Sequence, residues 1–490
     1  LFLILLIFFS LKIKKDFIRA NLFFNIISLF LVLYSIINIT YYELKYRTSH
    51  SLNSENFSIK TPDEKNNSIN KKDYPDIYYI IFDRYGSSEM LKEFFNYDNS
   101  QFDNYLREKG FFVASQSKAN YPYTYLSLAS SLNFQYLDFL FEITGKTNDR
   151  TIAYELIKKS KIVNFLKSKG YKYFHFGCWW GPTRKNKYAD KNFVFRDFKI
   201  FNILLDEYTE TLFKTTLAYP IIAKFFKKEL FESKGGPQKV IQQLNQLELI
   251  PHIKGPKFIF AHFLITHPPY HFDKNGKIVS PEVAKQKKEK DLYLDCITFV
   301  NKKIKNFVDK IISNSSSPPV IILQSDEGPY GSVLRGKKKW HNTYRLIKYR
   351  ASILNAYYLP GINHKNLYQK ISPVNTFRLI LNHYFGFNFK LLKDRVFVSK
   401  KKVNLYKFID ITHRINFGTI FVKSIPKNAK IYFNGKYIDK KTNARIRNAK
   451  PGYHTIKLTK EGYRDYETTF QVKAVHVTQL KIKLEKKEHK

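Results

Sequence analysis

A charge-free run over residues 21–42, NLFFNIISLFLVLYSIINITYY, constrains this chain more than any other feature. About 20 apolar residues in one helix are what crossing a bilayer requires. Tyr34, Tyr41 and Tyr42 suit an interfacial position. Residues 1–11 read as the tail of an earlier span, and the chain opens inside that run without an initiator Met, as a fragment would. Between the two runs lies KIKKDFIR, mostly basic. The positive-inside rule puts that loop in the cytoplasm and everything after about residue 42 outside. No small-residue cleavage site marks a removed signal peptide. Residues 1–42 are thus expected to be a transmembrane region in the inner or cytoplasmic membrane. Residues 43–72, rich in Asn, Ser and Lys, read as a linker.

After the linker, apolar β-branched strands alternate with helical patterns. DIYYIIFD, KFIFAHFLI, PPVIILQSD and SILNAYYLPG read as strands; residues 90–110, 151–170 and 292–314 read as helices. Such alternation predicts an α/β domain over residues 73–400, with a mostly parallel central sheet covered by helices. Ligands gather beyond the carboxyl ends of strands in such sheets. Three strand ends carry polar groups there: Asp83, then His267, then Asp326 with Glu327. The turn into the helix of NYPYTYLSLASSL adds Asn120 and Thr124. A hydroxyl at a helix start either caps the helix or meets an anion. Carboxylates converging with that hydroxyl would hold a divalent cation: Mg²⁺, Mn²⁺ or Ca²⁺ on oxygen alone, Zn²⁺ if a His joins them.

The same segments carry a family resemblance. PDIYYIIFDRYG, NYPYTYLSLASSLN, FIFAHFLITHPPYHFD, IILQSDEGP, ILNAYYLPG and ISPVNTFRLILNHYFG, in this order over about residues 74–390, resemble sulfatase-like hydrolases and transferases of the alkaline phosphatase superfamily. The resemblance implies an alkaline phosphatase-like fold, metal ligands at Asp83, Asp326 and Glu327, a nucleophile and further ligand at Thr124, and substrate contacts at His267 and Asn120. Two departures stand out. Glu327 replaces the His that usually follows the Asp, and Asn120 occupies a frequent nucleophile position, leaving Thr124 as the nearby hydroxyl. The Cys-x-Pro-x-Arg pattern of true sulfatases is absent, which turns the expectation from sulfate esters toward phosphoryl or phosphoglycerol-type transfer.

From residue 417 to 486 the pattern changes to short strands and turns, with Asn434-Gly435 as a hairpin signal. A small β-sandwich is expected, and PKNAKIYFNG with PGYHTIKLTKEGY resembles a PEGA domain. The resemblance associates it with cell surfaces, as an envelope-polymer binder or a spacer.

The net charge of +42, from 83 basic and 41 acidic residues, favours anionic partners. No nucleic-acid motif accompanies it, so membrane and anionic envelope lipid or glycopolymer are the expected partners. With only Cys178 and Cys296, a disulfide framework is excluded. Two functions follow: a metal-dependent hydrolase or transferase of envelope phosphate or sulfate esters, or an inactive sulfatase-fold protein that binds anionic envelope glycans.

Overall fold

A computed structural model describes residues 18–50, 74–194, 199–200, 203–204, 236–329, 333, 344–400 and 404–487. The expected earlier span at 1–11 and most of the linker lie outside these residues. The chain divides into two units, Leu1–Lys60 and Thr61–Lys490.

In the first unit one helix runs over Ile18–His50. Its segment Asn21–Tyr41 has a mean hydropathy of 2.2 and is not buried within the protein. At about 1.5 Å per residue it matches the thickness of a bilayer's hydrocarbon. The helix continues past residue 42 into positions expected to be linker.

The second unit is built on a seven-stranded sheet. Its strands are β1 (Ile77–Phe82), β2 (Phe112–Val113), β3 (Lys172–Phe176), β4 (Lys191–Phe193), β5 (Lys257–Phe263), β6 (Val320–Gln324) and β7 (Asn355–Tyr358), in the order β2-β7-β6-β1-β5-β3-β4. The five strands from β6 to β4 are parallel; β7 runs antiparallel to β6, and β2 to β7. Every residue of β1, β5 and β6 is buried, because helices cover both faces of a parallel sheet. Helix Glu289–Asn314 packs Ile297, Ile304 and Phe307 into the cluster holding Ile80 and Phe82. Residues 79 and 81 point to the opposite face. There the Tyr79 hydroxyl meets Ser131 of helix Thr124–Leu132 at 3.0 Å.

Two expected helices are each split. Residues 90–110 form Ser88–Phe95 and Ser100–Glu108, because Asn96 takes the left-handed conformation (φ 56°) and closes the first on Leu91 and Lys92 carbonyls. Residues 151–170 form Thr151–Lys158 and Lys161–Ser168, with the extended Ser160 starting the second. Downstream, a three-stranded and a four-stranded sheet enclose Ile420, Val422, Ile431, Ile456 and Leu458. Asn434 and Gly435 make the tight turn between two of these strands, at φ 51° and 78°.

His175 on β3 shows what the interior demands of a titratable group. Its Nε2–H donates to the Thr183 carbonyl and its Nδ1 accepts from the Tyr173 hydroxyl, each at 2.8 Å. Burial pushes its pKa down to about 4. An unfolded chain takes up this proton near pH 6.5 and the folded one refuses it. This contribution is therefore complete above about pH 6.5 and fades as pH falls toward 4. The stability advantage of wild type over His175→Gln should shrink by about 2 kcal/mol between pH 7 and pH 5 in paired denaturation curves; a gap independent of pH would contradict the buried neutral imidazole.

Candidate active site

Strand register brings three side chains together. Ile81 pairs with Gln324 on one side and His262 on the other. Side chains alternate, so Asp83 and Asp326, each two residues beyond a paired position, share one face with His262. All three are buried, at 3%, 2% and 1% exposure. One ligand atom from each lies within 4.8 Å of the others. The Asp83 Oδ1, both Asp326 carboxylate oxygens and His262 Nε2 are buried without any hydrogen-bond partner. Buried polar atoms are nearly always satisfied. Four such atoms this close together could hold a cation, although Arg84 Nε already lies 3.8 Å from Asp83 Oδ1.

The electrostatics agree. Burial raises the pKa of Asp83, the Glu327 charge adds to it, and Arg84 and Arg350 oppose it. Burial and the charges of Asp83 and Glu327 raise that of Asp326 well above the usual carboxylate range; the nearby Thr124 hydroxyl offsets this in part. Burial, reinforced by His267 and His175, lowers His262 to about 3, so its imidazole is neutral. His262 Nδ1 lies 2.8 Å from the Thr183 hydroxyl, which itself sits 3.1 Å from Cys178 Sγ. With Nδ1–H donating to Thr183, the Nε2 lone pair faces the carboxylates, as a ligand requires. Two carboxylates and one imidazole suit Zn²⁺ better than an all-oxygen set does, and do not exclude Mn²⁺. Cys178 and Cys296 are free and buried.

Glu327 does not join this group. Its Oε2 takes Arg350 Nη2 at 2.6 Å and Nε at 3.1 Å, while Oε1 takes Arg84 Nε at 3.3 Å. Two guanidiniums hold the carboxylate that was expected to hold a metal. Arg84 does so from the left-handed region (φ 65°), a conformation that costs a non-glycine residue about 1–2 kcal/mol. Asn120 is also otherwise engaged: its amide donates to Ser372 Oγ and the Arg395 carbonyl, and accepts from Val374 N. Both donors tie loops of the domain together.

Thr124 is half-buried at the first position of its helix, beside Asp326. The positive end of the helix favours an anion there, with Leu126 N and Ser127 N already donating to the Tyr123 carbonyl. His267 is half-buried just beyond β5 and packs edge-on against Trp179. Burial and Arg84 lower its pKa to about 4. Its Nδ1–H donates to the Pro268 carbonyl, which leaves Nε2 an acceptor. Protonation of a leaving group by His267 is thus disfavoured near neutral pH. A basic stretch with Lys337, Lys338, Lys339 and His341 lies outside the described residues. Arg345, from the same stretch, donates to the Tyr349 hydroxyl at 3.3 Å.

A profile of the family described as Sulfatase matches residues 75–377, more than half of the chain. The chain belongs to the sulfatase family. A second profile, described as PEGA domain, matches residues 417–488. No curated protein matches the chain. Among solved structures, this sulfatase-family chain is similar to the C-terminal periplasmic domain of EcEptC from Escherichia coli, at 14% identity and TM-score 0.46, covering 72% of this chain and 96% of that one. It is also similar to a protein in the alkaline phosphatase superfamily from Vibrio parahaemolyticus, at 13% identity and TM-score 0.42, covering 69% and 79%. A third is the integral membrane lipooligosaccharide phosphoethanolamine transferase A from Neisseria meningitidis, at 13% identity and TM-score 0.37, covering 63% and 55%.

Sequence reasoning missed His262, although it is the lone ionisable residue inside the apolar run FIFAHFLI. It gave no role to Arg84 or Arg350. Replacing Glu327 by Gln strips both arginines of their shared anion. Urea unfolding should show a loss of about 3–5 kcal/mol, the range for breaking a buried ion pair from one side; a change below about 1 kcal/mol would show that the pair is not a structural clamp.

Proposed function

We propose that this sulfatase-family protein is a membrane-anchored, metal-dependent hydrolase or transferase of phosphate esters on an envelope lipid or glycopolymer. The observation that carries the reading is the set of four orphaned atoms on buried Asp83, His262 and Asp326. These residues would hold the divalent ion, with His262 in the ligand position first assigned to Glu327. The bound ion would supply Lewis-acid stabilisation of charge on the ester oxygens and on the Thr124 hydroxyl.

Thr124 is the proposed nucleophile. Its Oγ forms the bond to phosphorus while the ester oxygen departs as an alcohol, taking up the proton that Thr124 gives away. Water or an acceptor hydroxyl then displaces Thr124, and the hydroxyl returns. The helix amides beside Thr124 favour the anionic group undergoing transfer. Neutral His267 presents Nε2 as an acceptor for a substrate or acceptor hydroxyl. Arg84 and Arg350, fixed by Glu327, leave the site less negative than its three carboxylates alone would make it. The apolar helix would anchor the chain, with the catalytic domain on the extracytoplasmic side. The absence of a Cys-x-Pro-x-Arg pattern favours phosphate over sulfate esters.

Detergent-solubilised protein should turn over a generic phosphodiester faster than an aryl sulfate, and a chelator should abolish the activity reversibly. Thr124→Ala should lower kcat roughly a thousandfold or more while retaining the metal, and Thr124→Ser should retain measurable turnover; full activity in the Ala variant would refute the nucleophile. Thr183→Val, which deprives His262 of its orienting partner, should weaken metal affinity roughly 10–100-fold by equilibrium dialysis. Unchanged affinity there would remove His262 from the ligand set.

A further inference from the structure

A cavity of about 790 Å³ opens between residues 89–118 and 348–396 of the sulfatase part and residues 412–474 toward the C-terminus. Lys92, Lys118, Lys370, Lys393 and Lys473 line it. Among the described residues none of the five has a carboxylate at ion-pair distance, whereas their neighbours Lys348 and Arg395 are paired with Glu93 at 2.9 Å and Asp410 at 3.7 Å. Of the acids in the wall, Glu93 is held by Lys348 and Asp394 by the Ser372 amide and hydroxyl and the Asn375 amide, while Glu89 adds one negative charge against the five lysines. Lys118 is half-buried, with its ammonium reaching only Ser352 Oγ at 3.4 Å. Burial pushes its pKa down to about 8, against the attraction of Glu89 and Glu93 and with Lys348 and Lys370 adding repulsion.

A lysine-rich chain puts many lysines on its surface, where water screens them. Here unpaired lysines line a concave wall, Lys118 half-buried and Lys92, Lys370, Lys393 and Lys473 exposed, and an anion would relieve their mutual repulsion. No lining residue is aromatic, so a ligand would be held by charge and hydrogen bonds rather than by stacking. Gln116, Asn416 and Gln471 add neutral amides to the wall, suited to hydroxyl groups. A bilayer surface does not enter a concavity, whereas a chain segment does.

We propose that this cleft binds a segment of an anionic glycan, a saccharide chain carrying phosphate or sulfate groups, through its unpaired lysines and neutral amides. The site is separate from the strand-end group and stands whether or not that group turns over esters.

The full chain in detergent is titrated with a fluorescent sulfated hexasaccharide at near-physiological salt, with a neutral dextran oligomer as control. The variant Lys118→Gln/Lys370→Gln/Lys393→Gln is compared with Lys274→Gln/Lys285→Gln/Lys290→Gln, three exposed lysines outside the cleft. The cleft variant should bind about tenfold more weakly and the control variant within about twofold of wild type. Glycerophosphate, a free lipid headgroup, should compete poorly at equal phosphate. Equal losses in both variants would mean diffuse charge attraction and overturn the proposal. Equal competition by glycerophosphate, or tight binding of neutral dextran, would overturn it as well. If the cleft variant fails to fold, Lys393→Gln alone, at an exposed position, decides: about a twofold loss with a shallower salt dependence is expected, and no change overturns the proposal.

Discussion

Three carboxylates buried at the ends of two adjacent strands set the terms for this structure. Asp83, Asp326 and Glu327 are each at most 3% exposed, and an ionised carboxylate without a partner is costly in a protein interior. The fold resolves one of the three with its own residues. Glu327 receives Arg84 and Arg350 and is satisfied. Asp83 and Asp326 are left with orphaned oxygens beside a neutral imidazole. Raised pKa values are one response to that frustration, and a bound divalent ion is the other. A core that needed only stability would have filled these positions with apolar side chains.

The scaffold delivers this arrangement by register. β1 lies between β5 and β6, all three parallel, so their carboxyl ends open in the same direction. On one face of the sheet this places Asp83 and Asp326 at the strand ends and His262 two residues back, level with Ile81. The helix covering that face begins at Thr124 and is pinned to the sheet by the Tyr79 hydroxyl, which bridges Ser131 and Gln324. His262 is oriented by Thr183 from the segment after β3, so even its tautomer depends on a neighbouring strand connection. Asp83, Asp326 and His262 thus sit on or just beyond rigid strands, and His262 has Thr183 to fix its direction.

What was legible in the sequence was what is local. β1 is apolar on both faces because it is buried on both, and Asp83 is conspicuous where that run ends. Thr124 is marked by the Pro-containing turn ahead of it. The fate of Glu327 was not legible, because it depends on Arg350, 23 positions away, and on the left-handed backbone of Arg84. The surroundings of Asn120 were hidden for a similar reason: its partners come from residues 372–395. His262 carried a readable signal, a lone polar side chain inside a buried strand. Its meaning needed the strand order, which places β5 beside β1. The helix breaks at Asn96 and Ser160 show the same limit, since a short polar residue within an amphipathic pattern is compatible with continuing or stopping.

The central claim is that Asp83, His262 and Asp326 share one divalent ion while Glu327 stays with its arginines. Anomalous diffraction from crystals grown with Mn²⁺ or Zn²⁺, measured on either side of the metal edge, addresses it directly. The account predicts one strong peak at about 2.0–2.3 Å from His262 Nε2 and from an oxygen of each Asp, with Glu327 still seated between Arg84 and Arg350. A peak ligated by Glu327 with His262 turned away, or no peak at these residues at saturating metal, would contradict it.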